Sequence, residues 1–328
     1  MDRRTVLAAL ALALSGATHA QGARRARAAV VGYLLFTPIV DPPSKERQAF
    51  LDGLRALGRV AGRNLEIVYT SAEGNPEFMD DVARDLVARK PDVIVVSGGV
   101  AVVAAARATT TIPIVMMAVG DPVGVGVVRS LSHPEGNVTG VSFLSSDLAG
   151  KRVQLMADLL PHARRVAVLW DPRNANAQVE VQATLAAIAR LRLSDATFPF
   201  DAHGRIDAVF EQVVAARPDA LYVAFEGGTV ADYRTAIAEF GLRQRLPVVS
   251  GWSQLTEAGA LLSYAPDIPA MFRRSAFHVH RILGGTSTHD LPVEQATTVE
   301  MVINIRTARA LGIAVPSELL IRADRVIA

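Results

Sequence analysis

Cysteine is absent from the 328 residues, which removes thiolate nucleophiles, thiolate metal sites and disulfides together. The other usual carriers of chemistry are equally thin. There is no Gly-x-Ser-x-Gly, no phosphate-binding Gly-x-x-x-x-Gly-Lys and no His-Glu-x-x-His, and Gly120, Gly124 and Gly126 are wrongly spaced for a dinucleotide fingerprint. Only His278 and His280 of the seven histidines stand close together, and two positions apart on a helix they point to different faces. The residues predict no cofactor, no metal and no catalytic group. The alternative is an exported two-lobe hydrolase or racemase working through carboxylates in a cleft.

What remains are hydroxyl, amide, carboxyl, glycine and tryptophan residues that follow apolar runs. The first half offers Thr37, Ser71, Ser97-Gly98-Gly99 and Asp121. The second offers Trp170-Asp171 with Asn174 and Asn176, Glu226-Gly227, and Trp252, with Tyr264 further on. At the carboxyl ends of parallel strands, chain turns lead into helix N-termini whose free N–H groups favour anions. Carboxylates such as Asp121 and Glu226 suit a ligand amine, and an indole face suits a planar apolar part. The glycines allow close backbone approach. Each type also has a structural reading: Asp121 before Pro122 suits a turn, Asn174 and Asn176 suit helix caps, and Trp170 suits a core.

The elements that must position these residues alternate. Ala28 to Phe36 is an apolar run fit for a strand buried on both faces, and Phe50, Leu51, Leu54 and Leu57 then repeat at helical spacing. Strands near 64–70, 92–97 and 113–119 are separated by helices near 76–89 and 100–109, which is the signature of a parallel sheet. The pattern restarts at 165–170. Lys90-Pro91-Asp92 is echoed by Arg217-Pro218-Asp219 at a shift of 127, Pro113 by Pro247 at 134 and Val30 by Val166 at 136. Three matches in one order predict a duplicated α/β lobe. The elements after the second lobe, near 260–264, 269–283 and 298–303, imply that the chain crosses back, and a pair of lobes joined by several crossings can close on a ligand.

Charge is nearly balanced, with 34 basic and 32 acidic residues and no run of five or more Lys or Arg, which argues against a nucleic-acid partner. The chain opens with Arg3-Arg4 and a run of nine apolar residues from Val6 to Leu14, then Ser15 to Ala20. This reads as an export signal over residues 1–20, too short to span a bilayer. Without cysteine there is no lipid anchor, so the expectation is a free periplasmic protein with no stable membrane insertion.

Several longer stretches resemble the substrate-binding proteins of ABC transporters, in the branch with tryptophan- and tyrosine-binding-like members. They are Thr111-Ile112-Pro113-Ile114-Val115, Gly120-Asp121-Pro122-Val123-Gly124, Pro134 to Val141, Asp290 to Gln295 with Val302-Ile303-Asn304, and Thr307 to Ile313. The resemblance implies an α/β fold of two doubly wound parallel-sheet lobes joined by a multi-strand hinge, the type I periplasmic binding fold. It implies an N-terminal lobe of 28–143 plus about 263–288, and a C-terminal lobe of 144–262 plus about 289–328. It also implies a small-molecule ligand, an ABC permease and an ATPase as partners, and no catalysis. The chain departs from the family where ligands sit: Gly98-Gly99-Val100 replaces a common Gly-Thr-Pro, and Gly251-Trp252 stands where an acidic residue is frequent.

Overall fold

The computed structural model describes residues 27–143, 145–200, 206–224 and 233–328. The expected signal at 1–20 and the candidates Glu226 and Gly227 lie outside the described residues.

The first lobe is built on β1 (Ala29–Leu35), α1 (Lys45–Ala56), β2 (Leu65–Ser71), α2 (Met79–Ala88), β3 (Val93–Val96), α3 (Gly99–Ala108), β4 (Ile114–Val119) and β5 (Val138–Ser142). The second holds α4 (Ser145–Leu159), β6 (Arg165–Trp170), α5 (Ala175–Arg190), β7 (Ser194–Pro199), α6 (Ile206–Ala216), β8 (Ala220–Val223), α7 (Arg234–Arg243), β9 (Val248–Ser250), α8 (Ser253–Ala258) and β10 (Leu262–Pro266). The chain then supplies α9 (Ile268–Leu283), β11 (Glu294–Gln295), β12 (Val299–Asn304), α10 (Ile305–Leu311), α11 (Ser317–Arg322) and β13 (Arg325–Ile327).

Two sheets result. The first has the order β11-β5-β4-β3-β1-β2 with parallel pairings, and the second β13-β12-β10-β9-β8-β6-β7, parallel except where β10 meets β12. Strands such as Val93–Val96 and Ala220–Val223 are buried throughout, as strands covered on both faces must be. Each lobe has one apolar cluster on either side of its sheet.

The repeated Pro-Asp has the same task in both lobes. Asp92 Oδ2 accepts from the Val30 N–H at 2.7 Å, and Asp219 Oδ2 accepts from Arg164 and Arg165 at 2.7 and 2.9 Å. Each carboxylate therefore satisfies N–H groups at the entry of its lobe's first strand. Lys90 and Arg217, two residues earlier, both have left-handed backbone (φ 52° and 49°) that ends the preceding helix.

Sheet membership corrects the expected lobe boundaries. Residues 263–266 belong to β10, which pairs with β9 and β12 in the second sheet, whereas Glu294 and Gln295 pair with β5 in the first. The chain thus passes between lobes after β5, between β10 and α9, and between β11 and β12. Helix α9 packs on the first lobe: Phe272, Ala276 and Val279 join the cluster of Val31 and Phe50. Its approach to α1 is close enough that a Cβ at Gly53 would lie 2.8 Å from the Arg273 carbonyl. Strand β5 was not expected, because its Val-Thr-Gly-Val-Ser carries no apolar run. It is nevertheless fully buried, and Gly140 (φ 131°) sits where a Cβ would strike the Met116 backbone.

Candidate functional site

A cavity of about 490 Å³ is lined by both lobes. From the first come the loop after β1, with Phe36, Thr37 and Pro38, the start of α3 at Ser97 to Ala101, and Tyr33, Arg47 and Phe272. From the second come Asn174, Arg234, Trp252 and Gln254.

The start of α3 is the polar floor of this space. Gly98 holds φ 82°, a left-handed conformation that places it as N-cap, and the first N–H groups of a helix have no intrahelical acceptor. Their direction and the helix dipole favour a carboxylate or other anion. Asn174 caps α5 from the opposite lobe, its Oδ1 accepting from the Asn176 N–H at 3.0 Å. Gly99 leaves room for both asparagines, because a Cβ there would lie 2.6 Å from Asn176 Nδ2 and 2.7 Å from Asn174 Oδ1.

The apolar wall is aromatic. Trp252 is 8% exposed, caps α8 through its backbone, and packs into the second-lobe cluster while also lining the cavity. Trp252 therefore stands at the boundary between that core and the cavity. Tyr33 is buried against Phe50 and Tyr69, and burial first, then Tyr69, pushes its phenol well above the usual range, so it stays protonated.

Two contacts bridge the lobes beside the cavity. Gln254 Nε2 donates to Glu46 Oε1 at 2.7 Å. Asn176 Oδ1 accepts from the Asp121 N–H at 3.1 Å, with its side chain against Gly120, where a Cβ would lie 3.1 Å away.

Of the residues expected from sequence, Thr37, Ser97, Gly98, Gly99, Asn174 and Trp252 line the cavity. Others do not. Ser71 donates to the Thr37 carbonyl and accepts from Glu73, so it holds the loop that carries Thr37. Asp121 caps its own turn through Gly124 at 2.8 Å and accepts from Ser146 at 3.2 Å. Asp171 is paired with Arg173 at 3.1 Å, and Asn176 is the bridge just described. Trp170 and Tyr264 pack against the second-lobe core. Phe36, beside Thr37 at the same strand end, also lines the cavity, whereas sequence reasoning missed Tyr33, Arg47, Arg234, Gln254 and Phe272. Arg47 carried a usable signal, for it follows Ser44, whose side chain caps the start of α1 by accepting from the Arg47 N–H.

The two-lobe fold with a cavity lined by both lobes defines a solute-binding protein of the type I periplasmic class. The chain belongs to the ABC transporter substrate-binding protein family, whose pattern matches residues 37–327. It is 26% identical over 276 residues to a tyrosine-binding protein of Clostridioides difficile, a match covering 83% of this chain and 79% of that one. A conserved domain protein of Vibrio cholerae has a solved structure with TM-score 0.84 and 32% identity, covering 92% of this chain and 100% of that one. A Streptococcus pneumoniae ABC domain in complex with L-Trp gives TM-score 0.84 at 26% identity, covering 91% and 99%. The leucine-binding protein LivK of Thermotoga maritima, at 15% identity, TM-score 0.59 and coverage of 79% and 84%, shares the fold.

Proposed function

We propose that the protein is the solute-capturing component of an ABC importer, exported to the periplasm, where it closes on an amino-acid-like or organic acid solute and delivers it to a permease and ATPase. It acts by binding, without turnover. The observation that carries this is the opposition of unlike walls: the N-terminus of α3 in one lobe and the Trp252 indole in the other, across one cavity. A helix N-terminus takes the carboxylate, and the indole takes a flat apolar side chain. Asn174 and Gln254 add amide groups. The L-Trp complex and the tyrosine-binding relative make aromatic amino acids the first solutes to try. The described residues contain no helix long and apolar enough to cross a membrane, which suits a protein that passes its cargo on to a separate permease.

Isothermal titration with L-tyrosine, L-tryptophan, L-leucine and a neutral sugar tests the reading. Saturable binding of an aromatic amino or organic acid, with no consumption of it, supports the proposal. Absence of binding to all of them at millimolar concentration, or chemical conversion of a bound one, contradicts it.

A further inference from the structure

We infer that Arg152, on α4 beneath the cavity wall, is a positioning residue for solute binding: its buried guanidinium fixes the backbone at Gly251 and with it the stance of Trp252. The consequence for affinity rests on the solute-binding reading above, whereas the consequence for Trp252 itself does not.

Arg152 is wholly buried. Its Nε donates to the Tyr264 carbonyl at 2.8 Å, and Nη1 donates to Glu180 Oε1 at 2.9 Å and lies 3.4 Å from the Tyr222 hydroxyl. Tyr222 donates to the same Glu180 oxygen at 2.7 Å. Burial first, then Glu180, pushes the Tyr222 phenol above its usual range, so it keeps the proton that this bond needs. One planar group thereby ties α4 to α5, β8 and β10.

The fourth tie is steric. A Cβ on Gly251 would lie 2.5 Å from Arg152 Cζ and 2.6 Å from Nη2. The guanidinium therefore occupies the volume that a side chain at 251 would take, directly before the residue that lines the cavity. Glu180 lies on the same helix, α5, that Asn174 caps. Asn174 and Trp252, two of the second-lobe residues that line the cavity, are thus referred to one buried fork.

Stability alone does not account for this arrangement. A fully buried ion pair gives up so much hydration that a well-packed apolar replacement is commonly no worse. A two-toothed guanidinium does supply fixed geometry, which an apolar cluster lacks.

The test uses Trp170→Phe, which leaves Trp252 as the lone tryptophan. In that background Arg152→Leu/Glu180→Gln removes both charges while keeping an acceptor for Tyr222. In the unliganded, folded double variant we expect Trp252 emission to shift to the red and acrylamide quenching to rise. We also expect binding of L-tyrosine or L-tryptophan, whichever the parent binds, to weaken about tenfold, or roughly 1.4 kcal/mol. Gly251→Ala should reproduce both effects when Arg152 is present and do so much less in the double-variant background, where the volume has been vacated. If the double variant does not fold, Arg152→Lys carries the same readouts, because it keeps the charge and loses the planar fork. Unchanged Trp252 emission and quenching in a folded variant, or equal damage from Gly251→Ala in both backgrounds, overturns the inference. Failure of both amino acids to bind the parent removes the affinity arm and leaves the fluorescence and Gly251 arms to decide the positioning role.

Discussion

The two lobes share a plan and differ in how they face the cavity. Both enter their first strand under a Pro-Asp carboxylate, and both end a helix in left-handed backbone before it. At the strand ends they part. The first lobe presents the start of α3 around Gly98 and Gly99 together with Tyr33, Phe36, Arg47 and Phe272, while the second presents Asn174, Arg234, Gln254 and a single aromatic, Trp252, next to the glycine that packs on the buried Arg152–Glu180 pair. The shared plan therefore covers what closes a sheet, while the residues facing the cavity differ between the lobes.

The largest effect should come from breaking the second lobe's buried pair on one side only. Glu180→Leu removes the buried carboxylate that Arg152 pairs with at 2.9 Å and keeps the buried positive charge, which costs about 3 to 5 kcal/mol. Urea unfolding should show the midpoint fall with little change in slope.

The caps come next and compare the lobes directly. Asp219→Ala strands two N–H groups and Asp92→Ala one, so at about 1 kcal/mol per lost bond the former should cost roughly twice the latter. Equal losses would mean that the two carboxylates do not act through these bonds.

Between the lobes, Asn176→Ala removes the acceptor for the Asp121 N–H and opens space over Gly120. An expected loss of about 1 kcal/mol in closure should appear as roughly fivefold weaker solute binding, with the free protein's scattering radius larger and its melting temperature nearly unchanged.

The smallest effect concerns pH and sits in the first lobe. Burial, against the pull of Glu294, holds His278 below its ordinary value of 6.5, so the unfolded chain takes up this proton first. Stability from this group is present above pH 6.5 and is lost as pH falls through that value. Glu294, held low chiefly by its hydrogen bonds from Arg274, contributes above pH 4.5 and loses its share only below that. Melting temperatures from pH 7.5 to 5 should fall, and His278→Leu should flatten that part of the curve.

Much of the fold was legible because buried parallel strands leave runs such as Val93–Val96 that water would not tolerate exposed. Strand β5 escaped because burial there depends on neighbours, not on its own composition. The lobe boundary near 263 was misplaced for a related reason: Leu262–Pro266 is apolar whichever sheet it joins, and only pairing decides. At the site, strand-end position identified Ser97 to Gly99, Asn174 and Trp252. It could not tell a residue facing the cavity from one turned to a cap or core, as with Asp121, Asp171 and Trp170. The Arg152–Glu180 pair was illegible, since 28 residues separate two ordinary helical charges.

The central claim is that one solute is held by both unlike walls at once. Hydrogen exchange with and without saturating L-tyrosine or L-tryptophan tests it most directly. The account predicts simultaneous protection of the amides at 98–101 in the first lobe and 252–254 in the second. Binding that protects only one lobe, or neither of these segments, would contradict it.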